Sequence, residues 1–426
     1  MTWLRLLLIF VVVSLLGLGI ALGPQSPEAT PELPAAGEGP YLVCPGAVAG
    51  GGFVGRLGVY ADDPTPGRVT VVSPEGAATS IQPAGLGGAT LEVGDLVELG
   101  DTPLYVEASG QIAAATLASG TQATALTGCL RAGAGPMAAL GIATTGTETA
   151  SIQLVNPFAQ DANLRLELVS ELGTDTPGDL EGLRLPAATH IEIALGQLLT
   201  GRESVSVKVE VISGLAAMSV VRAGSTDVAA SEAVAGANQW YIPLLPSALA
   251  GQLHIRSLST VAGDYRVDRV DVSGTVQGVA GAAINPGEQV VLSLADLGAT
   301  QGGVVVEATE PVVVALVIQD GSRRAIMPGG ILASRWAVPV SARGLEGQNQ
   351  IWIFNPGDSP LIASIARLDA GAEVASVEVA PGAAIEVLPG DIGGGGILVE
   401  SDGLMVVAFG VVNGEAIGLS MAIPLG

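Results

Sequence analysis

The sequence predicts an all-β chain: a tandem array of about four small Ig-like antiparallel β-sandwich modules after an N-terminal hydrophobic helix. Three observations predict it. An apolar strand ending in glutamate, followed by a second apolar run, occurs four times: Leu104-Tyr105-Val106-Glu107, Val207-Lys208-Val209-Glu210, Val304-Val305-Val306-Glu307 and Leu398-Val399-Glu400. The glutamates are spaced by 103, 97 and 93 residues. Between them, short β-branched runs alternate with Gly, Pro, Asn and Asp turns about every 8–12 residues, the rhythm of a sandwich. No long amphipathic helical pattern follows residue 23.

The first element is Leu6 to Leu22, apolar except for Ser14, Gly17 and Gly19. As a helix it spans about 25 Å, the short edge of a bilayer-crossing length. Arg5 precedes it and no further Lys or Arg occurs until Arg56, which places the N-terminus in the cytosol and the remainder outside. Residues 1–23 therefore read either as a signal peptide cleaved near Ala21-Leu22-Gly23 or as a retained transmembrane signal-anchor. Residues 24–40 carry five prolines interleaved with glutamates and read as a stiff, solvated spacer.

Four modules follow, at 41–129, 130–236, 237–332 and 333–426. The last is the clearest. Trp336-Ala337-Val338-Pro339 opens it, and Ile351-Trp352-Ile353-Phe354 runs into an Asn355-Pro356-Gly357 turn. Leu361 to Arg367, Val374 to Val379 and Ile385-Glu386-Val387 are further strands. Leu398-Val399-Glu400 and Val406 to Val411 read as a pair joined by a turn at Asp402-Gly403. The second module repeats the scheme with Ile152 to Val155, an Asn156-Pro157 turn, and Ile191-Glu192-Ile193. The third lacks the Asn-Pro turn after its Leu253 to Leu258 strand but has Asn285-Pro286-Gly287 later. The first carries the only cysteines, Cys44 and Cys129, at its two ends. In an exported chain such a pair most simply forms one disulfide, worth roughly 4–5 kcal/mol for a loop this long; two buried free thiols are the alternative.

The chain is 49 % hydrophobic but only 3 % aromatic. That composition builds thin aliphatic cores and leaves few platforms on which a sugar or base could stack. Its net charge of −24 repels phosphate backbones, so nucleic acid is not an expected partner.

Candidate chemistry is sparse. His190 and His254 lie in different modules, in strand-like settings and without a Gly-X-Ser-X-Gly elbow. Asp62-Asp63 and the Asp264, Asp268, Asp271 group offer oxygens for calcium but lack an Asp-X-Asp-X-Asp-Gly loop, so turn acids and a solvated strand face are the simpler reading. Glu107, Glu210, Glu307 and Glu400 sit at equivalent places in separate modules, which suits the outward side of a strand and not a catalytic pair. Gly393 to Gly396 has no Gly-Lys-Ser/Thr after it and is not a phosphate loop. Trp240, Tyr241, Trp336 and Trp352 suit cores or junctions better than sugar stacking. No catalytic residue, metal ligand or cofactor is assigned.

The stretch IWIFNPGDSPLIASIARLDAGAEVASVEVAPGAAIEVLPGDI, with ILVESDGLMVVAFGVV after it, is similar to an Asn-Pro-Gly β-sandwich repeat widespread in exported bacterial proteins. The layout of hydrophobic segment, Pro-rich spacer, Cys-Pro opening and second Cys closing the first module resembles an actinobacterial family of exported cell-envelope proteins of unknown function. The resemblance covers about residues 40–426, implies a β-sandwich array in the envelope and carries no catalytic residues. The expected function is a non-enzymatic exported spacer, scaffold or adhesion surface. The alternative is an extracellular carbohydrate- or peptide-binding array, and an envelope hydrolase ranks below both. Expected partners are the membrane, through the N-terminal segment if uncleaved, and an envelope protein or glycan.

Overall fold

A computed structural model describes residues 41–45, 54–61, 68–72, 78–81, 89–92, 103–107, 111–120, 124–146, 149–223, 228–244, 251–271, 276–298, 302–320, 323–339, 348–368, 371–388, 396–413 and 416–425. The expected N-terminal helix and spacer, Asp62-Asp63 and most of Gly393 to Gly396 lie outside them. Most of the described chain is strand. Its helical content is one α-turn, Leu195–Leu198, and one 3-10 turn, Gly178–Leu180.

One topology is repeated four times. In each module the first, sixth, third and fourth strands form one antiparallel sheet, and the fifth, second, seventh and eighth form the other. In the first module these are Tyr41–Cys44, Leu104–Glu107, Arg68–Val72 and Ala78–Ile81 against Ala89–Glu92, Val54–Ala61, Ile112–Ser119 and Thr124–Gly128. In the second they are Pro136–Ile142, Val205–Ser213, Ala162–Ser170 and a fourth strand split into Gly173–Asp175 and Glu181–Leu185, facing Thr189–Ala194, Thr149–Asn156, Ala217–Ala223 and Val228–Glu232. In the third, Ala237–Leu244, Gly263–Asp271 and Val276–Ile284 face Gln289–Ser293, Gln252–Ser257 and Arg323–Pro328. In the fourth, Ala333–Val338, Leu361–Arg367 and Glu373–Val379 face Ala384–Val387, Gln348–Phe354 and Ala416–Met421.

The last two modules correct one expectation. Asp402-Gly403 is not a turn between paired strands. The sixth and seventh strands are there a single strand, Ile397–Asn413, and in the third module likewise Gly302–Asp320. Its first half lies in one sheet and its second half in the other: Val304 to Val306 pair with Ile242 to Trp240, whereas Val313 to Val317 pair with Arg256 to Gln252. The switch occurs at a wide bulge, where the partner of the opening strand jumps from Glu307 to Val312 between Gln239 and Ala237. Asn238 Nδ2 donates to the carbonyls of Ala308 and Thr309, both at 3.0 Å, and so holds the extra residues. The indoles of the opening strands seal the same corner. Trp240 Nε1 donates to Val312 O at 2.8 Å, and Trp336 Nε1 donates to Met405 O at 3.2 Å. Leu-Val-Glu followed by Val-Val-Ala is thus the sequence trace of one strand passing between two layers.

Cys44 and Cys129 form a disulfide. It ties the first strand to the residue after the eighth, where Val43 and Leu130 also exchange backbone hydrogen bonds of 2.7 and 2.8 Å.

The modules close into a ring. The eighth strand of each lies against that of the next, and Ala416–Met421 of the fourth returns to Thr124–Gly128 of the first. Every junction has an apolar part. Ala118 and Ala125 pack on Val221, Val228 and Ala230. Val313, Ala315, Val317 and Ile326 of the third module enter the core of the second. Trp352, Ala408 and Leu419 of the fourth join that of the third, and Ala115, Leu117 and Leu126 of the first join that of the fourth. The modules therefore surround an axis as propeller blades do, although each is a two-layer sandwich. Gly141 shows how close the approach is: its φ is 81°, and a Cβ there would stand 2.4 Å from Val317 Cγ2.

Candidate binding cleft

Two of the junctions between modules are built from one recurring device. In the second and fourth modules the turn after the second strand reaches across to the outer face of the preceding module. In both, a buried asparagine fixes that turn. Asn156 Nδ2 donates to Gln160 O (2.7 Å), Leu185 O (3.3 Å) and Pro186 O (3.1 Å), and its Oδ1 accepts from Phe158 N (3.1 Å). Asn355 repeats this with Ser359 O (2.8 Å), Val379 O (3.0 Å), Ala380 O (3.3 Å) and Gly357 N (3.0 Å). Proline after the asparagine keeps it extended and ends the strand. The Asn-Pro signature is a clamp between the turn and the edge of the fourth strand.

What the clamp presents differs. Phe158, two residues after Asn156, packs edge-on to Tyr41 with ring centroids 5.1 Å apart and to Tyr105 at 6.3 Å. Those three rings fill the first junction. The second is closed by polar groups. Arg256 is fully buried, donates to Glu167 Oε1 at 2.6 Å, and gives Nη1 to Ser206 O and Oγ at 2.9 and 2.8 Å. Burial, partly offset by Glu167, lowers its pKa to about 10, so it stays charged at neutral pH. At the third junction the residue two after Asn355 is Gly357, and a cleft of about 570 Å³ remains between the modules.

The cleft floor is the outer face of the third module. Gln239, Glu307 and Arg266 are cross-strand neighbours in one row, and Tyr241, Val305 and Asp268 form the next. Arg266 bridges Asp268 Oδ2 at 2.6 Å and Glu307 Oε2 at 2.9 Å, and Gln239 Nε2 donates to Glu307 Oε1 at 3.1 Å. The opposite wall is the fourth module's turn, with Asp358, Leu361, Asp402 and Leu404. Asp402 Oδ1 accepts from Ile362 N at 3.0 Å, which aims that loop.

The sequence-nominated residues are placed as follows. Glu307 lies at the cleft beside Arg266; Glu210 pairs with Arg165 at 3.1 Å and Glu400 with Arg335 at 2.6 Å, all on outward strand faces. Asp268 is held by Arg266 in the cleft, and Asp264 lies further along the same strand. Among the described residues no cluster of three or more His, Cys, Asp or Glu could hold a metal ion. His190 pairs with Val155 in the second module. His254 is fully buried at the second junction, with Ser204 Oγ 3.3 Å from Nδ1 and Gln252 Oε1 3.3 Å from Nε2. Burial, and then the charge of Arg324, lower its pKa to about 3, far from the range a general base needs at neutral pH. Trp240, Trp336 and Trp352 are buried, so none offers a face to a sugar. Among the described residues no helix is long and apolar enough to cross a membrane.

Sequence reasoning missed Arg266, Arg256, Glu167 and Glu232. Glu232, wholly buried near the ring axis, accepts hydrogen bonds from its own N–H and that of Gly128, yet burial raises its pKa to about 7. The first three are junction residues; Arg256 and Glu167 meet across modules, and Arg266 joins its strand neighbour Asp268 to the distant Glu307. A signal for the cleft was present: aligning Asn156 with Asn355 sets Phe158 against Gly357.

No family model matches the chain, and no curated protein matches it. Among solved structures, the tetra-tandem repeat of the extending region of a large adhesion protein matches at 9 % identity over 87 % of this chain and 99 % of that one, with a TM-score of 0.13. The full-length RrgB pilus protein of Streptococcus pneumoniae matches at 7 % identity over 87 % and 86 %, also with a TM-score of 0.13. These scores transfer no function to this chain.

Proposed function

We propose that the chain is an exported, non-enzymatic interaction scaffold of the cell envelope, in keeping with the family it resembles. The observation that carries the reading is the ring itself. Four sandwiches share apolar cores at every junction, which yields a frame whose exposed faces differ from junction to junction. A spacer works by reach. A ring brings its last module back to its first, and that favours an interaction surface over a spacer. The disulfide supports assembly in an oxidising compartment.

The test is mass spectrometry of the chain recovered from its own cells, with surface labelling of intact cells. The reading expects a Cys44–Cys129 linked peptide and labelled surface residues. A reduced pair together with protection from labelling contradicts it. The first residue recovered then separates a cleaved signal from a retained anchor.

A further inference from the structure

We propose that the cleft between the third and fourth modules binds a lysine or arginine side chain carried on an extended segment of a partner polypeptide. This deepens the scaffold reading by assigning its contact site, and it rests on that reading only for where the partner is met.

The argument begins with the internal comparison. Three rings fill the first junction. By strand register Gln239 stands where Tyr41 does, since both lie opposite the recurrent glutamate. Val305 likewise stands where Tyr105 does, two residues before it, and Gly357 replaces Phe158. The same scaffold has therefore closed this space once and left it open once. The open space is not forced by the backbone: a Cβ at Gly357 would meet only Asn355 Oδ1, at 3.1 Å, and its φ is not left-handed.

The lining defines the occupant. Beside the polar groups it has an apolar part, Tyr241 and Val305 from the floor and Leu361 from the opposite wall, all three buried. Four carboxylates, Asp268, Glu307, Asp358 and Asp402, border it against the single guanidinium of Arg266, which Asp268 and Glu307 already engage. An apolar stem ending in a cation matches this surface: methylenes cover the apolar part while the charge reaches the carboxylates. Anionic and neutral ligands forgo that attraction, and the buried tryptophans leave no platform for a sugar. The cleft runs out over Val276, which is 59 % exposed at the start of the outermost strand of its sheet, Val276–Ile284. That edge offers backbone groups to an added strand, which is why the cation is assigned to a polypeptide and not to a free amine.

The test is calorimetry on the full chain with three pentapeptides of sequence Leu-Ala-X-Ala-Leu, blocked at both ends, with X lysine, norleucine or glutamate, and with butylammonium as the free amine. The proposal expects measurable binding of the lysine peptide at about 1 mM, at least tenfold weaker binding of the norleucine and glutamate peptides, and weaker binding still of butylammonium. Gly357→Phe, which copies the filled junction, should lower affinity at least tenfold with an unchanged melting transition. If that variant melts early, the Asp358→Asn/Asp402→Asn pair decides: it should weaken the lysine peptide several-fold and leave the norleucine peptide unaffected. Equal binding of lysine and norleucine peptides, no binding of the lysine peptide, or full binding by a normally folded Gly357→Phe protein overturns the assignment. Stronger binding of butylammonium than of the peptide overturns its polypeptide part. None of these results bears on export or surface exposure, which the labelling of intact cells tests separately.

Discussion

Single buried charges set the energetics of the junctions. Arg256 has no water to fall back on, and its partners Glu167 and Ser206 come from the neighbouring module. Removing one member of a buried pair strands the other, so Glu167→Ala should destabilise the fold by about 3–5 kcal/mol in denaturant melts. An exposed pair such as Arg165–Glu210 should cost about 1 kcal/mol or less when broken. Glu232 makes a different prediction. Its folded pKa of about 7 lies above the 4.5 of a free glutamate, so the native state holds its proton longer than the unfolded chain does. That contribution is complete below pH 4.5 and is lost as pH rises towards 7. His254, with a folded pKa of about 3 against 6.5, acts in the opposite sense: its contribution is present above pH 6.5 and is lost as pH falls towards 3. The difference between wild type and Glu232→Gln isolates the carboxyl. Wild type should lose roughly 3 kcal/mol relative to the variant between those limits. A constant difference would mean that Glu232 is solvated.

At the scale of elements, the clamp turns and the sheet-switching strands carry the design. Asn355→Ala removes the side-chain donor to the carbonyls of Ser359, Val379 and Ala380, the last of which still accepts from Ala383 N, and should cost about 1–3 kcal/mol. Asn156→Ala should do the same in the second module, with fluorescence or calorimetric melts as the readout. These elements also divide what was legible from what was not. Alternation over Leu361–Arg367 and the Asn-Pro-Gly turn before it mark a strand and its boundary directly, because the pattern and the partner groups are local. The continuity of Ile397–Asn413 was not legible, because Asp402-Gly403 has turn composition. Only the opening strand, some sixty residues earlier in sequence, shows that pairing resumes beyond the bulge, at Ala333 opposite Met405. The cleft left only one local trace, Gly357 where the second module has Phe158; the rest was illegible because its floor and wall belong to different modules.

For the whole molecule, shared cores imply shared fate. Ala115, Leu117 and Leu126 are buried by the fourth module, so deleting residues 333–426 should expose them. The truncated chain should melt earlier throughout, its first module included, or aggregate. The intact chain should unfold in one calorimetric transition, with calorimetric and van't Hoff enthalpies in agreement, whereas four separable modules would give several. Periodicity in sequence reveals that the modules repeat but is silent on whether the row bends back, since closure depends on Thr124–Gly128 meeting Ala416–Met421 nearly three hundred residues later. The most direct test is therefore small-angle X-ray scattering of the Pro34–Gly426 unit. A closed ring should give a radius of gyration of roughly 21–27 Å, whereas four domains of ordinary size in an open row would give roughly 40 Å. A value near the upper figure, with an elongated distance distribution, would contradict the ring.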